Sequence, residues 1–275
     1  MKSPALTGPA AHRIDPTVPH PARRYDYWLG GKDNFAADRH SGDAVAAAYP
    51  AIRTTAIENR RFMHRATRQL AAGAGIRQFL DIGTGIPTRP NLHEVAQSVA
   101  PDTRVVYVDN DPIVLNHARA LLASNPKGAT AYVDADLRQP DRILTDDELL
   151  ATLDLTRPVG LMLVAILHFL VDHDEAYRVV RTLVDALPSG SHLVISHATT
   201  DLVPPRVAAS AAPTSDASQI RMSFRTRDQI AAFFDGLELL PPGVSPITEW
   251  RPDARSAGRT PVDQASMYGA VARKP

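Results

Sequence analysis

From Gln78 onward the chain alternates short apolar runs, each the length of a buried parallel strand, with amphipathic segments of helical length. That alternation is the pattern of βα units laid side by side in one mostly parallel sheet. The runs predict strands over Gln78 to Ile82, Arg104 to Val108, Thr130 to Val133, Val159 to Ile166 and His192 to Ser196, with two more at Leu237 to Leu240 and Tyr268 to Ala272. Helix starts are marked by side chains suited to capping. Asn91 stands three residues before Glu94, and Asp111-Pro112 offers an N-cap with proline at N1 ahead of Ile113, Leu115, Ala118 and Leu122. Asp172 and Glu175 open a helix closed by Pro188 and Gly190, and Thr226 to Gln229 caps another.

Upstream the pattern differs. An aromatic and polar block over residues 23–50 is interrupted by Gly30-Gly31, which predicts a helix, a tight turn and a second helix. A third helix is expected from Thr55, with a capping box to Glu58, an apolar face of Ala56, Met63, Ala66 and Leu70, and a stop at Gly73. The first 22 residues are proline-rich without a continuous apolar stretch and read as a flexible, soluble arm. Thr200 to Gln219, rich in Pro, Ala and Ser and without period, reads as a surface loop able to act as a lid. The expected organisation is thus an arm at 1–22 and a single domain at 23–275, in which 23–73 is a helical cover and 74–275 an α/β core.

Composition narrows the function. The 30 basic and 30 acidic residues cancel, which removes the main electrostatic reason to expect nucleic acid or an anionic membrane as partner. The absence of cysteine excludes a disulfide, a thiolate zinc site and a cysteine nucleophile. No segment approaches the roughly 20 apolar residues of a membrane helix, so the simplest expected location is the cytoplasm.

The candidate chemistry lies where predicted strands end. The first runs into Asp81-Ile82-Gly83-Thr84-Gly85-Ile86-Pro87, an acid followed by glycines before a helix. In an open parallel sheet this is the ligand-binding edge. Gly83 and Gly85 allow close backbone approach, and Asp81 places a carboxylate where an α-amino group is a fitting partner. The second strand ends in Val108-Asp109-Asn110, whose acid can accept both hydroxyls of a ribose. The third is followed by Asp134-Ala135-Asp136-Leu137, where a carboxylate can accept from an adenine amino group. Three acids at three successive strand ends make an adenosine site. A nicotinamide or flavin dinucleotide uses the same edge, but its fingerprint needs a third glycine where this chain has Thr88, and Pro87 and Pro90 delay the helix to about Asn91.

The segments DIGTGIPT, VVYVDND and DADLR resemble the cofactor motifs of class I S-adenosylmethionine-dependent methyltransferases. The block YDYWLGGKDNFAADR, with the later ENRRF, resembles a narrower family, first catalogued as a domain of unknown function and since described as S-adenosyl methyltransferases. The resemblance runs from about Arg23 to the C-terminus. It implies a Rossmann-like, seven-stranded, mostly parallel sheet with its last strand antiparallel, helices on both faces and N-terminal helices covering the site. It also implies S-adenosylmethionine, or its product S-adenosylhomocysteine, over the first three strands, with Asp81 facing the methionyl amine, Asp109 the ribose and Asp136 the adenine. Thr84, Asn110 and Leu137 belong to the same motifs. Pro87 departs from the broad class, where many members have a third glycine.

In the N-terminal block, Tyr27 and Gly31 offer aromatic surface and close approach, and Lys32 a cation for the cofactor carboxylate; Trp28 and Phe35 read as packing residues. Asn59 and Arg60 join the candidate set through the resemblance, Arg60 as a bidentate carboxylate clamp. His168 follows the fourth strand at the edge where a methyl acceptor would meet the cofactor, as pocket lining in preference to a general base. His168 and His173 with Asp172 and Asp174 match no zinc spacing, so no metal is expected. The leading reading is methyl transfer to an unidentified small molecule; the alternatives are a non-catalytic cofactor-binding regulatory or accessory protein and an NAD-dependent reductase.

Overall fold

Neighbouring residues on each strand face opposite sides of one sheet, and both sides are buried, which is why the strands read as unbroken apolar runs. The computed structural model describes residues 14–114, 124–210, 220–253 and 258–275. Strands β1 (Gln78–Ile82), β2 (Arg104–Asp109), β3 (Ala129–Asp134), β4 (Gly160–Val164) and β5 (His192–Ala198) pair in parallel in the order 3-2-1-4-5. Two short strands, β6 (Glu238–Leu239) and β7 (Ser245–Pro246), precede β8 (Met267–Arg273), which pairs antiparallel with β5. Both short strands pair with the other side of β8, so the sheet is seven positions wide and its outermost place is shared. The chain reverses direction across the sheet between β1 and β4, and open α/β sheets bind ligands at the carboxyl end of such a switch point.

On one face Phe79, Tyr107, Met162 and Val194 meet the N-terminal helices. These are α1 (Pro21–Trp28), α2 (Ala36–Ala48) and α3 (Ile52–Arg68), followed by a wider turn at Gln69–Gly73. Helix α3 contributes Phe62, Met63, Ala66 and Leu70 to that face, and α4 (Leu92–Val99) adds Leu92 and Ala96. A fully buried ring such as Phe62 contributes on the order of 3 kcal/mol by leaving water. Gly269 on β8 makes room for it: a Cβ there would stand 2.8 Å from the Phe62 ring. On the other face Leu80, Val106, Leu161 and Ile195 meet Val179, Val180 and Leu183 of the helix His173–Asp185.

The expected capping box at Thr55 does not form, because α3 begins earlier, at Ile52. The Thr55 hydroxyl instead lies 3.0 Å from the Tyr49 hydroxyl and 3.2 Å from the Gln264 carbonyl. The fourth strand ends at Val164, two residues before the expected Ile166, because Ala165 takes a left-handed φ of 56° and Leu167–Phe169 coil into a 3₁₀ turn. Residues 14–22, placed by the sequence in the flexible arm, are held down. The Arg23 guanidinium donates to the carbonyls of Asp15 and Val18, and α1 starts at Pro21. The rest of the arm, positions 115–123 of the helix opened by Asp111, and positions 211–219 of the expected lid lie outside the described residues, while Pro205–Ser210 is helical. Among the described residues no helix is long and apolar enough to cross a membrane.

Candidate binding site at the carboxyl edge of the sheet

β1 delivers Asp81 and then turns at Gly83 (φ 75°) and Gly85 (φ 67°), left-handed positions that glycine adopts without a Cβ penalty. The Gly83 N–H donates to the Val108 carbonyl at 2.8 Å, and the Gly85 N–H donates to Asp109 Oδ2 at 2.8 Å. The acid that ends β2 therefore fastens the turn that follows β1. Its other oxygen accepts from the Asp111 N–H at 2.9 Å, and each carboxylate oxygen retains a lone pair for a further donor. Beside it the Asn110 amide donates to Asp136 Oδ2 at 3.1 Å, and Asp136 Oδ1 accepts from the Arg138 N–H at 2.8 Å. Leu137, next in line, is buried in the core. The three acids expected to converge do share one edge.

Burial dominates the electrostatics of the inner two. Asp81 accepts from the Thr84 hydroxyl at 2.9 Å and feels the positive charge of Arg60, yet burial, with a smaller push from Asp109, raises its carboxyl to about 7. Burial likewise raises Asp109 against the two N–H bonds it accepts. In both groups the ionised form is under-solvated, which favours ligand donors and cations that stabilise it. The space beside Asp81 is tight. A crevice lined by Arg60, Asp81, Thr84, Ile86, Tyr107 and Tyr132 has about 20 Å³ of free volume, room for about one water. Ile166 lies over the turn, with its Cδ1 at 2.5 Å from where a Cβ on Gly83 would stand.

The cover meets this edge at several points. Arg60 on α3 donates to the carbonyls of Thr88 and Pro90 and so braces the loop after the glycines. Asn59 donates to the Tyr25 hydroxyl at 3.0 Å and accepts from the Ser196 hydroxyl at 2.6 Å, which in turn accepts from the Ala165 N–H at 3.0 Å. Tyr27 and Gly31 make their contacts elsewhere, and Lys32 has no side-chain partner among the described residues. The Tyr27 hydroxyl donates to Asp43 at 2.8 Å; Gly31 sits against Asp26, whose Oδ1 would lie 1.9 Å from a Cβ; and Lys32 is exposed. His168 is buried with Nδ1 lacking a partner among the described residues, its ring edge-on to Phe169 and His197. Burial holds it well below its ordinary pKa, and therefore neutral.

Two features escape sequence reasoning. Asp111, a helix cap by sequence, also stands 2.9 Å from His20 Nδ1 and 3.2 Å from Arg23 Nε, ion-pair distances that latch the cover to the end of β2. Arg225 is buried under the turn that carries His168, donating to the carbonyls of Leu167 and Leu170 at 3.0 and 2.8 Å. Neither has a periodic or spacing signal, because both bridge segments far apart in the chain.

The raised carboxyl of Asp81 sets a pH dependence. Its folded pKa of about 7 lies above the ordinary value of about 3.9, so its contribution to stability is full below about pH 4 and is lost as pH rises through about 7. An ammonium ligand wants the ionised form. Its apparent affinity is therefore expected to fall by up to about tenfold per unit below about pH 7 in the native protein and to lose that limb in Asp81→Asn, as titration calorimetry at several pH values will show.

The sequence model of the S-adenosyl methyltransferase family matches residues 7–275. The crystal structure of a DUF574 family protein from Streptomyces avermitilis is 52% identical, covers 96% of this chain and 100% of that one, and superposes with a TM-score of 0.91. A candidate methyltransferase from Thermobifida fusca is 40% identical over 96% of this chain and 98% of that one, with a TM-score of 0.84. An O-methyltransferase family protein from Burkholderia thailandensis, at 16% identity and a TM-score of 0.51 over 86% of this chain and 62% of that one, shares the fold alone. No curated protein matches this chain.

Proposed function

The chain belongs to the S-adenosyl methyltransferase family, and from that membership we propose that it binds S-adenosylmethionine at the carboxyl ends of β1, β2 and β3 and delivers the methyl group to a small-molecule acceptor. The carrying observation is the pair of buried, raised carboxylates, Asp81 and Asp109, on either side of a turn made of two left-handed glycines. Asp81, fixed by Thr84, is the partner of the methionyl ammonium. Asp109 takes the ribose hydroxyls, and Asp136 with Asn110 and Leu137 borders the adenine. Gly83 and Gly85 admit the ligand to the backbone, while Asn59 and Arg60 close the site from α3. Tyr27 and Gly31 pack within the cover against Asp43 and Asp26, away from this edge, and the exposed Lys32 is the cation available to the cofactor carboxylate.

When bound, S-adenosylmethionine supplies an electrophilic methyl on a sulfonium leaving group, so the chain's task is to orient the reactants and exclude water. His168 lines the acceptor side. A neutral imidazole of depressed pKa is a weak proton acceptor near pH 7, which supports lining over base catalysis. The donor set disfavours a dinucleotide. Glu94 Oε2 accepts from the Asn91 N–H at 2.7 Å, so the N-terminus of α4, where a pyrophosphate would sit, already holds a carboxylate.

Calorimetric titration with S-adenosylhomocysteine, followed by incubation of labelled S-adenosylmethionine with metabolite extracts, tests the reading. Saturable binding with label transfer is expected. Tight binding without transfer assigns the chain to a non-catalytic regulatory or accessory role, and absence of binding refutes both.

A further inference from the structure

A second cavity, of about 330 Å³, opens at the amino ends of the strands, across the sheet from the glycine turn. Among the described residues its lining includes Arg77, Arg157, Arg273 and His192 but no carboxylate, in a chain whose formal charges sum to zero. The sheet itself gathers them. Arg77 immediately precedes β1, Arg157 lies just ahead of β4, and His192 at the start of β5 is the antiparallel partner of Arg273 at the end of β8.

These cations are unevenly committed. The Arg77 guanidinium donates to the carbonyls of Ala71 and Ile76 at 2.8 and 3.1 Å. Its Nε stands 3.7 Å from Asp102 and Arg273 donates to Glu238 at 2.9 Å, both exposed pairs of the kind that contribute little. The Arg157 guanidinium has no hydrogen bond or ion pair among the described residues. His192 is 6% exposed and forms part of the cavity wall at the start of β5. The volume falls at the lower end of the range for small-molecule pockets, roughly 300–1,000 Å³.

We infer that the amino end of the sheet binds a small multivalent anion, bearing phosphate or carboxylate groups, through Arg77, Arg157 and Arg273 with His192 as the fourth wall. Guanidinium forks match both anion classes, and the concave shape suits a compact ligand better than an extended polyanion. The inference is independent of methyl transfer.

Titration calorimetry with pyrophosphate and with citrate distinguishes the two anion classes. At least one is expected to bind at one per chain, and Arg157→Gln and Arg273→Gln, both at exposed positions, are expected to weaken it by about tenfold each. S-adenosylhomocysteine affinity is expected to be unchanged in both variants, so a failure here and a failure of the cofactor site register separately. No saturable binding of either anion, binding indifferent to both variants, or tighter binding of a single-stranded oligonucleotide than of either probe overturns the inference.

Discussion

Asp109→Ala is expected to lower affinity for S-adenosylhomocysteine by at least about 100-fold, the equivalent of losing two charge-assisted hydrogen bonds to ribose hydroxyls. The same substitution orphans two backbone donors, the Gly85 N–H at 2.8 Å and the Asp111 N–H at 2.9 Å. Each buried unsatisfied group costs about 1–3 kcal/mol, so a lower unfolding midpoint is expected alongside the loss of binding. Asp109→Asn separates the two effects. It keeps one acceptor for the turn, leaves one backbone N–H without an acceptor and removes a charge that burial disfavours, so the ligand-free variant is expected to lose less stability than Asp109→Ala. It is nevertheless expected to bind S-adenosylhomocysteine more weakly. Affinity equal to the native protein in a folded Asp109→Ala variant removes the ribose role from this residue.

What the sequence revealed about this edge, and what it concealed, follows from the range of the interactions. The parallel core was legible because strands buried on both faces leave continuous apolar runs, and β1 is found at the predicted Gln78–Ile82. The glycine turn and the acids at the ends of β1 and β2 were legible because each is a local consequence of a strand ending. The capping boxes at Asn91 and Thr226 were legible for the same reason, and both form. The false cap at Thr55 shows the limit. Thr55 to Glu58 carries the local signal, but Ala51 and Ile52 continue the helix upstream, and Tyr49 and Gln264 claim the threonine hydroxyl. Position 165 was read as strand because nothing in an alanine announces a φ of 56°. The latch of His20 and Arg23 onto Asp111 was hidden because its partners are about 90 residues apart and only the closed sheet brings them together.

Arg225 is the extreme case of such a long-range tie, and its removal is expected to produce the largest loss of stability. At 1% exposure its guanidinium reaches the carbonyls of Leu167 and Leu170, lies 2.8 Å from His197 Nε2 and stacks 5.4 Å from the Phe233 ring centroid. Arg225→Ala strands several buried acceptors at once and is expected to cost more than about 3 kcal/mol, read as a lower denaturant midpoint at constant slope. Arg225→Lys restores the charge without the planar fork and is expected to recover only part of the loss. The consequence reaches the site. Because the guanidinium donates to His197 Nε2, that nitrogen is unprotonated and Nδ1–H points to the Ala198 carbonyl at 2.7 Å. Burial, with Arg225 adding to it, holds His197 at about 3. A histidine kept neutral this way contributes stability above its ordinary pKa of about 6.5 and loses it as pH falls toward 3. Without Arg225 the His197 pKa is expected to rise and that acid-side loss to shrink, a shift that nuclear magnetic resonance titration of the imidazole will register. An unchanged His197 titration in a folded Arg225→Ala protein removes Arg225 from the control of His197, and an unchanged denaturant midpoint removes it from the support of the His168 turn.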